Sequence, residues 1–443
     1  MRRRTLGTLA LSLCLGLTAC GSGSGESKEK TAAKSAETIA PPSARGVEKL
    51  GGQSITYQDT QALSATYTQL LRSGDKKGFL ATFDPKAKAA RTRMGHWFDN
   101  LAKLGATEVS MAFVQATRGR DGSGKQNLAA DMGLIMQIPG VDPVPLSEWY
   151  SFTFAPKGED GALRVVDVTG AEGDESSGTK YSRYYRQAWD DGPMAVVRGK
   201  RVVLVGPAAD EAWMRANVGT VDAAVKTQVG RFTRAGVEMP GDATTRSWLV
   251  TIQSPQVDDL FDYLGGRVEP TEADFAGFTK AVYKADAITG DLDTTSTVTS
   301  RIVIARSGMD SAELPSLVRH EMTHALEQTW RVSSESGRWL TEGLATYLED
   351  ADADSRSRRL QAGLDYLRTA KSLPTKDFYE GDDAAVARHY GAGYVAVSYL
   401  ADRLGDKKLL EATHRLRTSS ATVEEAFGMN EDQIAKGALA WAS

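Results

Sequence analysis

His320-Glu321-Met322-Thr323-His324 is the pentapeptide in this 443-residue chain whose residue types and spacing could do chemistry. On a helix, residues four apart sit one turn above each other on the same face. His320 and His324 can therefore grip one metal ion, with Glu321 beside them facing the same cavity. Two neutral imidazoles and a carboxylate suit zinc, which in catalytic sites keeps one position for water. Zinc acidifies that water, and a neighbouring carboxylate such as Glu321 can take its proton. The pattern alone also fits a solvated helix face, but its flanks are apolar or uncharged: Leu317, Val318, Met322, Thr323, Ala325 and Leu326. Arg319 is the exception and must point elsewhere.

The third ligand has to come from another element. Glu342 follows His324 by 18 residues, in Trp339-Leu340-Thr341-Glu342-Gly343-Leu344-Ala345-Thr346-Tyr347-Leu348-Glu349. This segment reads as a second helix, with Gly343 allowing close approach beside the carboxylate. His320, His324 and Glu342 then form a three-ligand zinc site with one open position.

The two motifs together resemble those of the gluzincin metallopeptidases, and most of all the short bacterial members called peptidase MA-like. The likeness covers roughly residues 301–405. It implies that His320, His324 and Glu342 bind zinc and that Glu321 is the general base. It also implies a donor to the oxyanion from a later helix. In Arg388-His389-Tyr390-Gly391-Ala392-Gly393-Tyr394, Tyr390 with its glycines is similar to the Tyr-x-x-Gly of aminopeptidases, and His389 is the alternative. Adjacent helical residues point about 100° apart, so the two do not serve together. Two departures matter. Members of the group often carry a carboxylate soon after the third ligand to orient a zinc histidine; Thr346 stands four residues on, so that role is weaker or served from elsewhere. The aminopeptidase Gly-x-Met-Glu-Asn strand is replaced by Ser307-Gly308-Met309-Asp310-Ser311, without the amine-binding Glu. Endopeptidase action is thus favoured over amino-terminal trimming.

Other elements must carry this site to its place of work. Met1-Arg2-Arg3-Arg4 and the apolar residues 5–18 form a signal-peptide pattern too short for a permanent span. Leu17-Thr18-Ala19-Cys20-Gly21 resembles the bacterial lipobox, implying cleavage before Cys20 and a lipid on its sulfur. The protein is then expected at the cell membrane, lipid-anchored on the extracytoplasmic face. Cys14 lies inside the signal, so the mature chain has no disulfide and depends on its core. Hydrophobic residues make up 41% of the chain, enough for two domains. A net charge of −4 gives no reason to expect nucleic acid as a partner.

The expected fold class is α+β, with residues 1–20 as signal, 21–53 as flexible tether, 54–175 as an α+β roll and 181–443 as the zinc metallopeptidase domain. In the first domain, periodicity predicts helices over 57–72, 76–82 and 85–104, then strands over 107–116, 128–138, 147–155 and 163–168. That order is similar to the nuclear transport factor 2-like roll. His96-Trp97-Phe98 within it reads as core. Further on, a hairpin (194–197, 202–205), a helix (211–235) and strands (247–252, 296–305) are expected, with weaker helix between the last two. Residues 301–305 are expected to form the edge strand of the cleft, where a peptide could pair by strand addition. Asp350, Asp352 and Asp354 alternate as in a calcium loop, but Ser355 and Gln361 replace its Gly and Glu, so a turn and helix start is expected. His414 is expected at the surface.

The function these expectations imply is zinc-dependent peptide hydrolysis, with a peptide or protein as substrate. The alternative, of another class, is a binding lipoprotein. In it the roll captures a ligand or envelope partner, and the zinc domain is structural or silent.

Overall fold

Thr56 opens the first helix among the described residues with a reciprocal cap: its hydroxyl accepts from Asp59 N at 3.2 Å, and Asp59 Oδ2 accepts from Thr56 N at 2.8 Å. In the computed structural model this helix, α1 (Tyr57–Ser73), ends at Gly74 with φ +68°. The structure describes residues 11–14, 49–50, 53–120, 126–157, 161–170, 187–190, 192–239, 243–253, 275–285, 292–306, 312–328, 330, 337–374, 378–379 and 381–443. Cys20, most of the tether and Ser307–Ser311 lie outside them.

The chain is a mixed α+β protein. Short strands β1 (Leu11–Cys14), β2 (Lys49–Leu50) and β3 (Gln53–Ser54) precede α1. Helices α2 (Lys76–Ala81) and α3 (Lys88–Leu104) follow it. Strands β4 (Thr107–Arg120), β5 (Gln126–Gln137), β6 (Leu146–Phe154) and β7 (Val165–Gly170) then pair antiparallel in sequence order. Trp97 and Phe98 are buried core, as expected, and Trp97 stacks on Phe79 at 5.8 Å.

β4 ends the sheet, and α1 covers its backbone with a ladder of side chains. Ser64 accepts from Phe113 N at 3.0 Å, Thr68 accepts from Met111 N at 2.9 Å, and Arg72 Nε donates to Val109 O at 2.7 Å. Four residues of helix rise about 6 Å and two residues of strand about 6.6 Å, so the two spacings stay in step. This satisfies edge groups that would otherwise invite another strand.

The second half contributes β8 (Met194–Arg198), β9 (Val202–Pro207), helix α4 (Glu211–Ala235), β10 (Trp248–Gln253), β11 (Phe275–Ala285) and β12 (Leu292–Ala305). These strands and β4–β6 join one sheet in the order β4-β5-β6-β11-β12-β10-β9-β8, with β7 beside β6 and β1 beside β11. Halves read separately from sequence are thus joined through β6 and β11, at Leu146↔Lys284. Val203, Val205 and Leu249 of the second half also pack into the core of the first. A buried charge cluster lies at this seam. Arg301, opposite Lys280 in the ladder, pairs with Asp142 at 2.6 Å, and Glu148 accepts from Gln187 at 2.7 Å. Burial lowers the Lys280 ammonium to about 8, against the pull of Glu148.

Two expectations fail here. Residues 275–285 are strand β11, where helix was expected. Residues 301–305 belong to β12, which lies between β11 and β10 rather than at an edge. β11 mixes Ala and Lys with the strand formers Phe275, Phe278, Thr279, Val282 and Tyr283, and nine ladder partners on β12 decide for strand.

The remainder is helical: α5 (Leu314–Glu327), α6 (Arg338–Leu348), α7 (Ala353–Ala370), α8 (Asp383–Leu404), α9 (Asp406–Thr418), α10 (Val423–Phe427) and α11 (Glu431–Ala442). Glycines set two tight helix crossings. A Cβ on Gly343 would lie 2.4 Å from Gly393 O, and one on Gly363 would lie 2.3 Å from Gly391 O. So the glycines after Tyr390 serve backbone contact between α8 and its neighbours α6 and α7. Among the described residues, no helix is long and apolar enough to cross a membrane.

Candidate metal centre

α5 carries His320, Glu321 and His324, all buried. Gln228 of α4, with no exposed surface, pins this helix. Its amide donates to Arg319 O at 2.9 Å, to Thr323 Oγ1 at 2.7 Å and to Leu348 O at 3.2 Å, so α4, α5 and the end of α6 are tied together. Arg319 does point away from the site: it donates to Glu349 O at 2.6 Å and to Asp350 O at 3.1 Å. It thereby holds the turn after α6, where Asp350 has φ +52°.

The three expected ligands converge. The His320 and His324 Nε2 atoms lie 3.1 Å apart, and Glu342 Oε2 lies 3.5 and 3.4 Å from them. A tetrahedral zinc ion with bonds near 2.0–2.1 Å spaces its ligand atoms about 3.3 Å apart. The triangle is therefore the size that one such ion spans. Glu342 Oε2 is buried without a hydrogen-bond partner, which is the condition of an atom reserved for a cation. The group His320, His324 and Glu342 can hold a metal ion. Its electrostatics agree. Burial alone would raise the Glu342 carboxyl, but His324 and His320 hold it well below the usual carboxylate range. Burial alone would lower His320, but the carboxylates of Glu342 and Glu349 beside it raise it to about 10.

No carboxylate stands four residues after Glu342, but Glu349, seven residues after it, meets His320. Its Oε2 lies 2.9 Å from His320 Nδ1, and its Oε1 is held by Arg359 of α7. Burial raises Glu349, but Arg359 and His320 bring it below its ordinary value. Glu349 was legible as a carboxylate two helical turns after Glu342 and on the same face, but its contact with His320 on another helix was not.

Glu321 has no exposed surface, and its Oε2 accepts from Thr279 of β11 at 2.8 Å. A Cβ on Gly277 would lie 2.9 Å from Val303 O and 3.4 Å from Glu321 Oε1. The strand that sequence reasoning missed therefore seats the candidate base. A second missed residue is Tyr379, half-buried ahead of α8, whose phenol donates to Glu342 Oε1 at 2.6 Å. Its only signal was an aromatic pair, Phe378-Tyr379, before a helix.

Tyr390 is buried, with its ring 6.4 Å from that of His320. His389 is turned to Phe378 O at 2.7 Å and packs edge-on to Tyr366. The acidic alternation resolves as expected: Asp352 caps α7 by accepting from Ser355 N at 2.9 Å, and Asp350 pairs with Arg231. His414, expected at the surface, is half-buried and meets Trp330 edge-on at 5.0 Å.

No family model matches the chain, and no curated protein matches it.

Proposed function

We propose that this chain is a zinc-dependent peptidase of gluzincin type, endopeptidase rather than aminopeptidase, anchored by lipid at Cys20 on the extracytoplasmic face. Its architecture in this reading is a nuclear transport factor 2-like roll followed by a metallopeptidase domain. The observation that carries the proposal is the buried triangle of His320, His324 and Glu342 with Glu321 on the same helix. When bound, zinc would supply Lewis acidity, making water a better nucleophile and polarising a peptide carbonyl. Glu321 takes a proton from the attacking water and returns it to the leaving amine. Thr279 holds the Glu321 carboxylate in place by its hydroxyl. Tyr390 supplies the donor to the oxyanion, and Glu349 keeps His320 in one tautomer and orientation.

The test uses the chain lacking residues 1–20, loaded with zinc, against a broad peptide library. The expected result is equimolar zinc, lost in His324→Ala and Glu342→Ala. Internal peptide cleavage is expected to fall by at least about a hundredfold in Glu321→Gln, while zinc content is retained. Zinc retained by Glu342→Ala, or cleavage equal in wild type and Glu321→Gln, would overturn the proposal.

A further inference from the structure

His320 has an obvious partner for its outer nitrogen, and His324 does not. The Nδ1 of His324 is buried without a hydrogen bond, 4.0 Å from Glu327 Oε2. Glu327 ends α5, one turn beyond His324, and is itself buried, with Oε1 lacking a hydrogen-bond partner. Its Oε2 accepts from Arg417 of α9 at 3.3 Å. Arg417, also buried, donates in addition to Thr341 Oγ1, the residue before Glu342.

When an imidazole offers Nε2 to a cation, Nδ1 carries the proton, and a buried N–H without an acceptor is costly. Among the described residues, Glu327 is the carboxylate placed to receive it. We propose that Glu327, held by Arg417, is a positioning residue that accepts the His324 Nδ1–H when a metal ion occupies the site. Closing the 4.0 Å separation to hydrogen-bond length takes only a small shift of the Glu327 side chain. The two histidines then have matching supports from outside the motif: Arg359–Glu349 behind His320 and Arg417–Glu327 behind His324. Arg417 follows the second histidine by more than ninety residues, so the last helices become part of the metal centre.

This inference rests on the metal reading of the site but not on peptide hydrolysis. The experiment is zinc affinity by chelator competition on the chain lacking residues 1–20, for wild type, Glu327→Gln, Glu327→Ala and Arg417→Met. It is paired with thermal unfolding of each metal-free form and with the imidazole NMR spectrum of the zinc form. Glu327→Ala is expected to weaken zinc by about 10–100-fold. Glu327→Gln, which keeps an acceptor, should lose less and should shift the His324 Nδ1–H resonance. Zinc affinity within twofold of wild type in Glu327→Ala overturns the inference, as does an unshifted His324 resonance in Glu327→Gln. A wild type that binds no zinc overturns the metal reading and this inference with it. A wild type that binds zinc but cleaves nothing, with Glu327→Ala weakened, overturns the peptidase proposal and supports this one.

Discussion

Replacing Glu349 by Ala removes a carboxylate that lies 2.9 Å from His320 Nδ1 and takes the guanidinium of Arg359 on its other oxygen. Both side chains of the His320–Glu349 contact are about 95% buried, so water cannot readily replace the lost acceptor. A hydrogen bond to a charged group is worth about 1.5–3 kcal/mol. Loss of such an outer partner typically costs about 10–100-fold in metal affinity, and tenfold is about 1.4 kcal/mol, so the two figures agree. Glu349→Ala is therefore expected to weaken zinc by about 10–100-fold. Glu349→Gln keeps an oxygen that can accept from Nδ1–H and should lose about tenfold or less. Glu321→Gln should leave affinity nearly unchanged, because Glu321 lies outside the ligand triangle. The assay is competition with a chelator at neutral pH, with metal-free unfolding recorded for each variant. Glu349→Ala binding zinc within twofold of wild type would refute the assignment. So would Glu349→Gln weakening zinc as much as Glu349→Ala, because the acceptor would then not be what matters.

The metal-free protein should show a characteristic pH dependence. His320 is raised from 6.5 to about 10, so its proton stabilises the fold fully below about 6.5, and that contribution is lost as pH rises through about 10. Glu342 is lowered from 4.5, so its contribution is fully present above about 4.5 and is lost as pH falls. Thermal midpoints of chelator-treated protein should be highest between these limits and decline toward alkaline pH, and zinc loading should release protons and remove that decline. A metal-free midpoint that climbs from neutral to alkaline pH would contradict the paired geometry. Gly343→Ala should destabilise the protein by about 1–3 kcal/mol, because its Cβ would meet backbone of α8 at 2.4 Å. Since Glu342 is the adjacent residue, zinc affinity should fall too; a variant as stable as wild type, with unchanged affinity, would show that the helices do not cross this closely.

Legibility from sequence followed the range of the interaction. The convergence of the candidate ligands was readable because a helix repeat fixes His320 and His324 on one face, and a motif of its own marks Glu342. The bounds of α4 were readable from its apolar periodicity, and the close approach at Gly343 from the glycine beside a carboxylate. What escaped depends on contacts that no local pattern encodes. β11 reads as weak helix until β12 pairs with it. Only then do Gly277 and Thr279 come against Glu321. Glu349 was visible as the last residue of a motif, yet its partners His320 and Arg359 come from other helices. Tyr379 reaches Glu342 from a turn between helices, and Arg417 reaches Glu327 from α9.

These supports have a common form. The carboxylates of α5 and α6 are held from elsewhere: Glu349 by Arg359 on α7, Glu327 by Arg417 on α9, Glu342 by Tyr379 ahead of α8 and Glu321 by Thr279 on β11. A two-helix motif can bring ligands to within 3.5 Å of one another, but it cannot alone satisfy the outer nitrogen and oxygen atoms of those ligands in a buried site. The helices beyond α6 and the strand before α5 meet that requirement. That is a physical reason for the two short motifs to be embedded in a larger fold: they bring His320, His324 and Glu342 together, and the surrounding elements fix the directions of these side chains.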